Sequence, residues 1–469
     1  MVPDGLLHPL QIEWDGALRG GDPLGWPGYA DALSAMRRGD SVVTGRAAVE
    51  GPLGLGRYVV IAARFDVMGG SMGAVHGERV VRAYRRATLE KLPVVVISAS
   101  GGARLQEGLV ALAQLARTSA AASGHHRAGL LSVGVLRAPT TGGVYASYAS
   151  LTDLRAAEPG ATVGFAGPRV VEVVTGLPVP KDSHTAEAAY TAGLVDALVP
   201  TDDQAAWVET ALGVRDARLP PRPLPAMFAQ TGDGPAAWRE VLRARARGRA
   251  TGIDHAARMC DSWLELRGPD PTVRAGLARI GSRRLVVLAH DRHAGRGRPG
   301  PGGFRLARRA LSLAEHLGLP LLSLVDTPGA EPGPDAEAGG IAGEIAATFA
   351  AFAEATVPTV AVCVGEGGSG GALATAACDV VLMLEHAVFS VISPEGAASI
   401  LGRDATQAAA YAGMLKLTAE DLLALGVSDG TVPERDPAGL DAAIAAALDR
   451  ATPGDRLRRL DALTARWVG

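Results

Sequence analysis

Val94-Val95-Val96-Ile97-Ser98-Ala99-Ser100-Gly101-Gly102-Ala103 decides the fold. It opens as a continuous apolar run rich in β-branched residues, the pattern of a strand buried on both faces. It ends in a Gly-Gly turn and gives way to helical periodicity. Leu321-Leu322-Ser323-Leu324-Val325 does the same, running into Asp326-Thr327-Pro328-Gly329-Ala330. An apolar strand, a Gly-rich turn and a helix, met twice, predict repeated β-β-α units in a mixed α/β fold.

Working outward, the two halves echo each other in order. Gly101-Gly102-Ala103 matches Pro328-Gly329-Ala330, and Thr141-Gly142-Gly143-Val144 matches Ser369-Gly370-Gly371-Ala372. Val163-Gly164-Phe165-Ala166-Gly167-Pro168 matches Phe389-Ser390-Val391-Ile392-Ser393-Pro394, and Gly193-Leu194-Val195-Asp196 matches Gly426-Val427-Ser428-Asp429. The offsets run only from 226 to 233 residues, so a degenerate repeat explains them better than chance likeness between turns.

A chain of 469 residues is too long for one ordinary core. The repeat divides it into an N-terminal domain over 1–216, a linker over 217–235 and a C-terminal domain over 236–469. Arg218-Leu219-Pro220-Pro221-Arg222-Pro223-Leu224-Pro225 reads as a stiff, extended connection. The stretch 236–266 reads as helical, with Trp238, Val241, Leu242 and Trp263 at apolar positions.

A net charge of −3 gives no reason to expect nucleic acid or a membrane surface as partner. The three cysteines, Cys260, Cys363 and Cys378, form no C-x-x-C pair, so neither a disulfide framework, a zinc ribbon nor another metal site is expected. No signal segment and no apolar run approaching eighteen residues is found, which reads as a cytoplasmic protein.

Two sites carry the chemistry. One is Pro139-Thr140-Thr141-Gly142-Gly143-Val144-Tyr145-Ala146-Ser147, the other Gly365-Glu366-Gly367-Gly368-Ser369-Gly370-Gly371-Ala372-Leu373. Each follows an apolar strand and precedes an Ala-rich helical stretch. Adjacent glycines let backbone N–H groups face a ligand with no Cβ in the way. At a helix N-terminus those donors also feel the positive end of the dipole. Such a pair makes an oxyanion hole for a thioester enolate or a ureido oxygen. A dinucleotide loop is the alternative at the second site, since Gly365, Gly367 and Gly370 fit G-x-G-x-x-G, with Glu385 twenty residues beyond Gly365. The first site has no such fingerprint, and a repeat argues for a shared role.

At these residues the sequence resembles the carboxyltransferase component of bacterial acetyl-CoA carboxylase. Met68-Gly69-Gly70-Ser71-Met72-Gly73, Ala99-Ser100-Gly101-Gly102-Ala103-Arg104-Leu105-Gln106-Glu107, residues 139–147 and Gly164-Phe165-Ala166-Gly167-Pro168-Arg169-Val170 resemble the β subunit. Val325-Asp326-Thr327-Pro328-Gly329-Ala330, residues 365–372 and Val391-Ile392-Ser393-Pro394-Glu395-Gly396 resemble the α subunit. The likeness covers roughly 23–434.

The resemblance implies two tandem crotonase-like (ββα-superhelix) domains whose halves pair to form the active site. Acyl-CoA, such as acetyl- or propionyl-CoA, would sit in the β-like half against Gly101, Gly102, Ala103, Arg104, Tyr145, Phe165, Ala166 and Gly167. Gly142 and Gly143 would donate to the thioester oxygen as its enolate forms. Carboxybiotin would sit in the α-like half against Pro328, Gly329, Ala330, Ser393, Pro394 and Glu395, with Gly370, Gly371 and Ala372 donating to the ureido oxygen. The freed biotin nitrogen would remove the α-proton, so placed backbone dipoles replace a protein base. Biotin carboxylase and a biotinyl carrier protein would act in trans, because the chain has no A-M-K-M motif; Met414-Leu415-Lys416-Leu417 is a poor imitation. A homo-oligomer is expected, a dimer ahead of a trimer of dimers.

The sequence departs from the family in places. It has no four-cysteine zinc ribbon, and Glu331 and Ala338-Gly339-Gly340-Ile341 replace a tyrosine and a Glu-Arg-Gly-Gln run on the biotin side. Tyr145 stands where the acetyl enzyme has serine. Two rivals follow: a biotin-independent malonyl-thioester decarboxylase of the same fold, and a non-catalytic paralogue binding CoA or a carrier. Arg104 and Glu107 read as a loop-bracing ion pair or a CoA contact. Arg292, His293, Arg296, Arg298, Arg305, Arg308 and Arg309 read as a phosphate-attracting patch or a solvated face.

Overall fold

The computed structural model describes residues 5–36, 39–224, 234–402 and 404–468. They divide into two compact units, Met1–Asp216 and Ala217–Gly469. The first holds strands β1 (Leu10–Trp14), β2 (Val42–Gly51), β3 (Gly54–Ala63), β4 (Val94–Ser100), β5 (Ser132–Thr141), β6 (Leu154–Ala157), β7 (Val163–Gly164) and β8 (Ala197–Leu198). The second holds β9 (Ser262–Leu266), β10 (Val273–Ile280), β11 (Arg283–His290), β12 (Leu321–Thr327), β13 (Thr359–Gly368), β14 (Val380–Leu384), β15 (Val388–Ser390) and β16 (Gly430–Val432).

The two sheets have one topology. Their orders are β1-β2-β3-β4-β5-β6-β8 with β7 on β5, and β9-β10-β11-β12-β13-β14-β16 with β15 on β13. In each, an antiparallel hairpin feeds a parallel run. The parallel strands are buried along their whole length where the sequence is continuously apolar, as in β4 and β12. Helices Ala74–Glu90 and Gly108–Arg127 cover the first sheet's crossovers, and Pro301–Leu317 and Ile341–Glu354 the second's. Pro301 at the start and left-handed Gly318 just past the end of its helix are the usual stop signals. Even the irregularities repeat. The β4–β5 ladder jumps from Ser98↔Leu136 to Ser100↔Thr140, and the β12–β13 ladder from Val325↔Cys363 to Thr327↔Gly367.

Two readings of the middle of the chain change. Residues 236–266 are not one helical stretch: helices Ala236–Ala244 and Gly252–Met259 are followed by strand β9, which carries Trp263. Alternation in Ser262-Trp263-Leu264-Glu265-Leu266 wins over helical spacing because the indole lies on Gly276 of β10, where any Cβ would come within 2.6 Å of the ring. Residues 217–224 have no regular structure but are packed down. Leu219 joins the second core, and Arg222 forms paired bonds to Asp254 and to Asp291. Residues 225–233 of the expected linker lie outside the described residues.

Candidate functional site

In each unit the turn after the first buried parallel strand meets the helix start after the next. In the first unit that turn is wedged in place by glycines. A Cβ at Gly70 would lie 2.0 Å from Ala99 O, and one at Gly73 2.2 Å from Glu107 Oε1. Met72 N–H donates to Gly102 O and Arg104 N–H to Met72 O, so the chain turns with Ala103 between two bonded residues. Gly102 has φ +119 and gives its own N–H to Ser100 Oγ. Gly329 repeats this with φ +126 and an N–H bonded to Thr327 Oγ1.

Against these turns lie the helix starts. A Cβ on Gly143 would be 3.4 Å from Ala103 N, and one on Gly371 only 2.3 Å from Ala330 N. Among the described residues the N–H groups of Ala103 and Gly143 have no acceptor, nor do those of Ala330, Gly370 and Gly371. The last two open helix Ser369–Ala376, whose first turn has no intrahelical partners to offer. Each unit thus builds a cradle from two unpaired amides on different elements.

This geometry redistributes the expected roles. Gly142 donates its N–H to Phe165 O at 2.9 Å and is not free for a ligand. It is needed for shape instead, with φ +60 and only 2.7 Å between its would-be Cβ and Gly102 Cα. The unpaired amide beside Gly143 is that of Ala103. In the second unit Ser369, at φ +57, is the left-handed residue at the helix start, while Gly371 faces Ala330 N as Gly143 faces Ala103 N. Ala372, expected as a further donor, is wholly buried in the first turn of the same helix.

Arg104, expected to touch acyl-CoA, is corrected to a brace. Its side chain is 0% exposed. Its guanidinium donates to both Asp40 oxygens, Glu107, Tyr29 Oη, Ser41 Oγ and Ser71 O. Burial pushes the Asp40 carboxyl up, but the guanidinium outweighs it and holds the group below the usual carboxylate range. Tyr145 is half-buried against the core. Phe165 and its counterpart Val391 stand 75% and 74% exposed, each leading into a helix that begins with proline, Pro168–Thr175 or Pro394–Ala397. Ala166 and Gly167 form the first of these connections, and Ser393 caps the second by accepting from Gly396 N–H.

Sequence reasoning missed the charge network under the second cradle. Arg245 donates to Glu366 at 2.6–3.0 Å and to Glu395 at 2.6 Å, bridging β13 to the Pro394 helix. Arg292 donates to Glu366 at 2.8 Å and to Asp326 at 3.4 Å, so it is not a phosphate contact. Burial raises the Glu366 pKa, yet Arg245 and Arg292 bring it below the ordinary glutamate range. Asp326 is held above its ordinary range by burial. Elsewhere in that basic stretch Arg305 and Arg308 pair with Glu344. No local motif announces Arg245, which is 121 residues from Glu366.

The dinucleotide alternative does not fit. Gly365 and Gly367 lie inside β13 and are glycines because the Asp326 carboxylate and the Phe389 ring occupy the space of their Cβ atoms, at 2.3 and 2.2 Å. Cys260, Cys363 and Cys378 are buried free thiols, the last pushed up to about 12 by burial. No helix among the described residues is long and apolar enough to cross a membrane.

Comparison with known proteins agrees. Residues 28–226 match the profile described as carboxyl transferase domain, and 230–453 that described as acetyl co-enzyme A carboxylase carboxyltransferase-like. The acetyl-coenzyme A carboxylase carboxyl transferase subunits beta/alpha of Salinispora arenicola are 42% identical over 89% of this chain and 78% of theirs. A probable biotin-dependent acyl-coenzyme A carboxylase beta3 subunit of Mycobacterium bovis is 38% identical over 90% of this chain and 86% of its own. Transcarboxylase 12S, solved as a hexamer assembly with methylmalonyl-coenzyme A and methylmalonic acid bound, superimposes with a TM-score of 0.79 and 25% identity, over 95% of this chain and 88% of that one. With its two crotonase-like units, the chain belongs to the biotin-dependent acyl-CoA carboxylase carboxyltransferases, as an enzyme with β-type and α-type halves fused in one polypeptide.

Proposed function

We propose that this enzyme moves a carboxyl group from carboxybiotin, carried on a separate protein, to a short acyl-CoA such as acetyl- or propionyl-CoA. The observation that supports this best is the pair of matching cradles, Ala103 with Gly143 and Ala330 with Gly371. In the first, two N–H donors take up the charge on the thioester oxygen as the α-proton leaves. In the second, they take up charge on a ureido oxygen. Carboxybiotin supplies carbon dioxide and, once it has given that up, the nitrogen that accepts the α-proton. The chain's own acids fit a co-substrate that brings its base with it, since Glu107, Glu366 and Asp326 are all held by arginines. The residues around the cradles therefore bind and orient, and backbone dipoles do the electrostatic work.

Biotin carboxylase and the biotinyl carrier act in trans in this reading, and no metal takes part. Lys416 of the nearest carrier-like tetrapeptide instead pairs with Asp421. The hexamer assembly named for transcarboxylase 12S supports a homo-oligomer for this chain, with a dimer as the smallest working form, and we place it in the cytoplasm.

Reverse transfer tests the proposal. Malonyl-CoA or methylmalonyl-CoA is incubated with the enzyme, with and without biocytin, and the acyl-CoA product is followed. Loss of the carboxyl group that depends on biocytin supports transfer, and the faster substrate names the acyl group. An equal rate without biocytin replaces transfer by thioester decarboxylation, and no turnover in either arm leaves a binding paralogue.

A further inference from the structure

The two amides of the first cradle belong to different elements, and one of them has little local support. Gly143 lies in a helix of only three residues, Gly142–Val144, and the chain breaks just beyond it, where Ser147 takes φ −139 and ψ −124. Ser147 Oγ donates back to Gly143 O at 2.6 Å, and Gly142 N–H is spent on Phe165 O. In the second cradle, by contrast, Gly371 lies in an eight-residue helix, Ser369–Ala376. A helical turn as short as Gly142–Val144 does not hold its own position. The place of Gly143 relative to Ala103 therefore depends on tertiary ties.

One such tie runs through the core. Tyr148, buried one residue past the break, brings its hydroxyl to 2.9 Å from His76 Nε2. His76 Nδ1 lies 2.8 Å from Ser41 Oγ. Ser41 Oγ accepts from the Arg104 guanidinium at 3.0 Å, and Arg104 directly follows Ala103. Ser41 and His76 are wholly buried, so water does not compete for these bonds. A continuous hydrogen-bonded chain thus joins the residue after one amide to the segment that carries the other.

The proton directions follow from the neighbours. Ser41 Oγ lies 2.7 Å from Ser71 O and 2.9 Å from Asp40 Oδ1, which only accept. The serine's single proton goes to them, so His76 donates to Ser41 through Nδ1–H. Burial keeps the imidazole neutral, with its pKa lowered to about 3. Its Nε2 is then an acceptor, and Tyr148 donates to it.

We propose that His76 is a positioning residue for carboxyl transfer: through Ser41 and Tyr148 it locks the Ala103 and Gly143 amides at a spacing that one oxygen bridges. The inference rests on reading the first cradle as the site of the thioester oxygen. An enolate oxygen needs both donors at once, so a slip between the two elements costs rate rather than acyl-CoA binding. A misplacement of about 1 Å costs roughly 10²-fold.

The test is the steady-state, biocytin-dependent loss of the malonyl-CoA carboxyl group, with a thermal melt of each variant. Tyr148→Phe removes one hydroxyl from the relay, and His76→Phe removes both bonds while keeping a ring. Each should lower kcat by about tenfold to 10²-fold, with KM for malonyl-CoA and for biocytin within about twofold of wild type. The double variant should be no slower than the slower single one, since both break the same chain. If His76→Phe does not fold, Tyr148→Phe still reports, because it deletes a single oxygen. Folded Tyr148→Phe at the wild-type kcat overturns the inference, as does a loss confined to KM or a double variant whose losses multiply. A wild type without biocytin-dependent turnover overturns the carboxyl-transfer reading, and the inference falls with it. An active wild type with unimpaired variants overturns the inference alone.

Discussion

Gly370 and Gly371 are neighbours in sequence and should respond oppositely to one added methyl group. A Cβ at Gly371 would lie 2.3 Å from Ala330 N, 2.9 Å from Ala330 Cβ and 3.0 Å from Ala330 Cα. Ordinary contact would require the turn to retreat by about 1 Å, and a misplacement of that size costs roughly 10²-fold in a positioned reaction. Removing one oxyanion donor costs about 10²–10³-fold, or about 2.7–4 kcal/mol. Gly371→Ala is therefore expected to lose at least ~10²-fold in biocytin-dependent loss of the malonyl-CoA carboxyl group. Overpacking should also cost about 1–3 kcal/mol of stability. A Cβ at Gly370 meets only Phe349 Cε2, at 3.9 Å. Gly370→Ala keeps its amide and replaces a helix-weakening residue, gaining about 0.5–1 kcal/mol. Its rate should stay within about threefold of wild type, since no donor moves. A Gly371→Ala enzyme at the wild-type rate, or a Gly370→Ala enzyme equally damaged, would refute the assignment of the second cradle to Ala330 and Gly371.

Ser369→Gly should stabilise the protein by about 1 kcal/mol, because a non-glycine residue at positive φ carries roughly that strain; the expected rise of roughly 2–4 °C in melting temperature is read by calorimetry, and a fall would contradict it. Arg245→Met should destabilise by about 2 kcal/mol, less than a fully broken buried pair because Arg292 still holds Glu366. It should also raise the KM for biocytin, with Arg245→Lys only a partial rescue, since an ammonium does not span Glu366 and Glu395 together; equal kinetics in all three enzymes would reduce the bridge to a structural tie. His290 accepts the Asp326 N–H on Nδ1 at 3.1 Å, and burial lowers its pKa to about 4. Below about pH 6.5 the unfolded chain takes a proton that the folded site refuses, so stability is full above that pH and falls toward pH 4, by on the order of 3 kcal/mol for this group. Urea unfolding of His290→Asn should show a loss between pH 6 and 5 that is smaller by about 1 kcal/mol, and an unchanged pH profile would remove His290 as a cause.

The repeat and the β-β-α pattern were legible because parallel strands buried on both faces leave uninterrupted apolar, β-branched runs such as Val94-Val95-Val96-Ile97, each ended by a Gly-rich turn. Both glycine sites were legible for a similar reason: close backbone approach excludes Cβ, and glycine is the only residue that records this in sequence. Trp263 was misplaced because a short stretch such as 262–266 satisfies helical and alternating spacing equally well, and only the contact with Gly276 chooses between them.

Sequence by itself thus determined the architecture, the duplication and the two glycine loops at the helix starts. Tertiary structure decided which amides are left over. A Gly-Gly pair does not say that the Gly142 N–H is spent on Phe165 O while Ala103, 39 residues earlier in the chain, points an unpaired donor beside Gly143. Nor does Arg104 reveal that Asp40 has claimed it, or Arg245 that it ties Glu366 to Glu395. Local patterns report what a residue needs from its neighbours in the chain. Whether a donor or a charge remains free depends on acceptors that only the folded chain brings within reach.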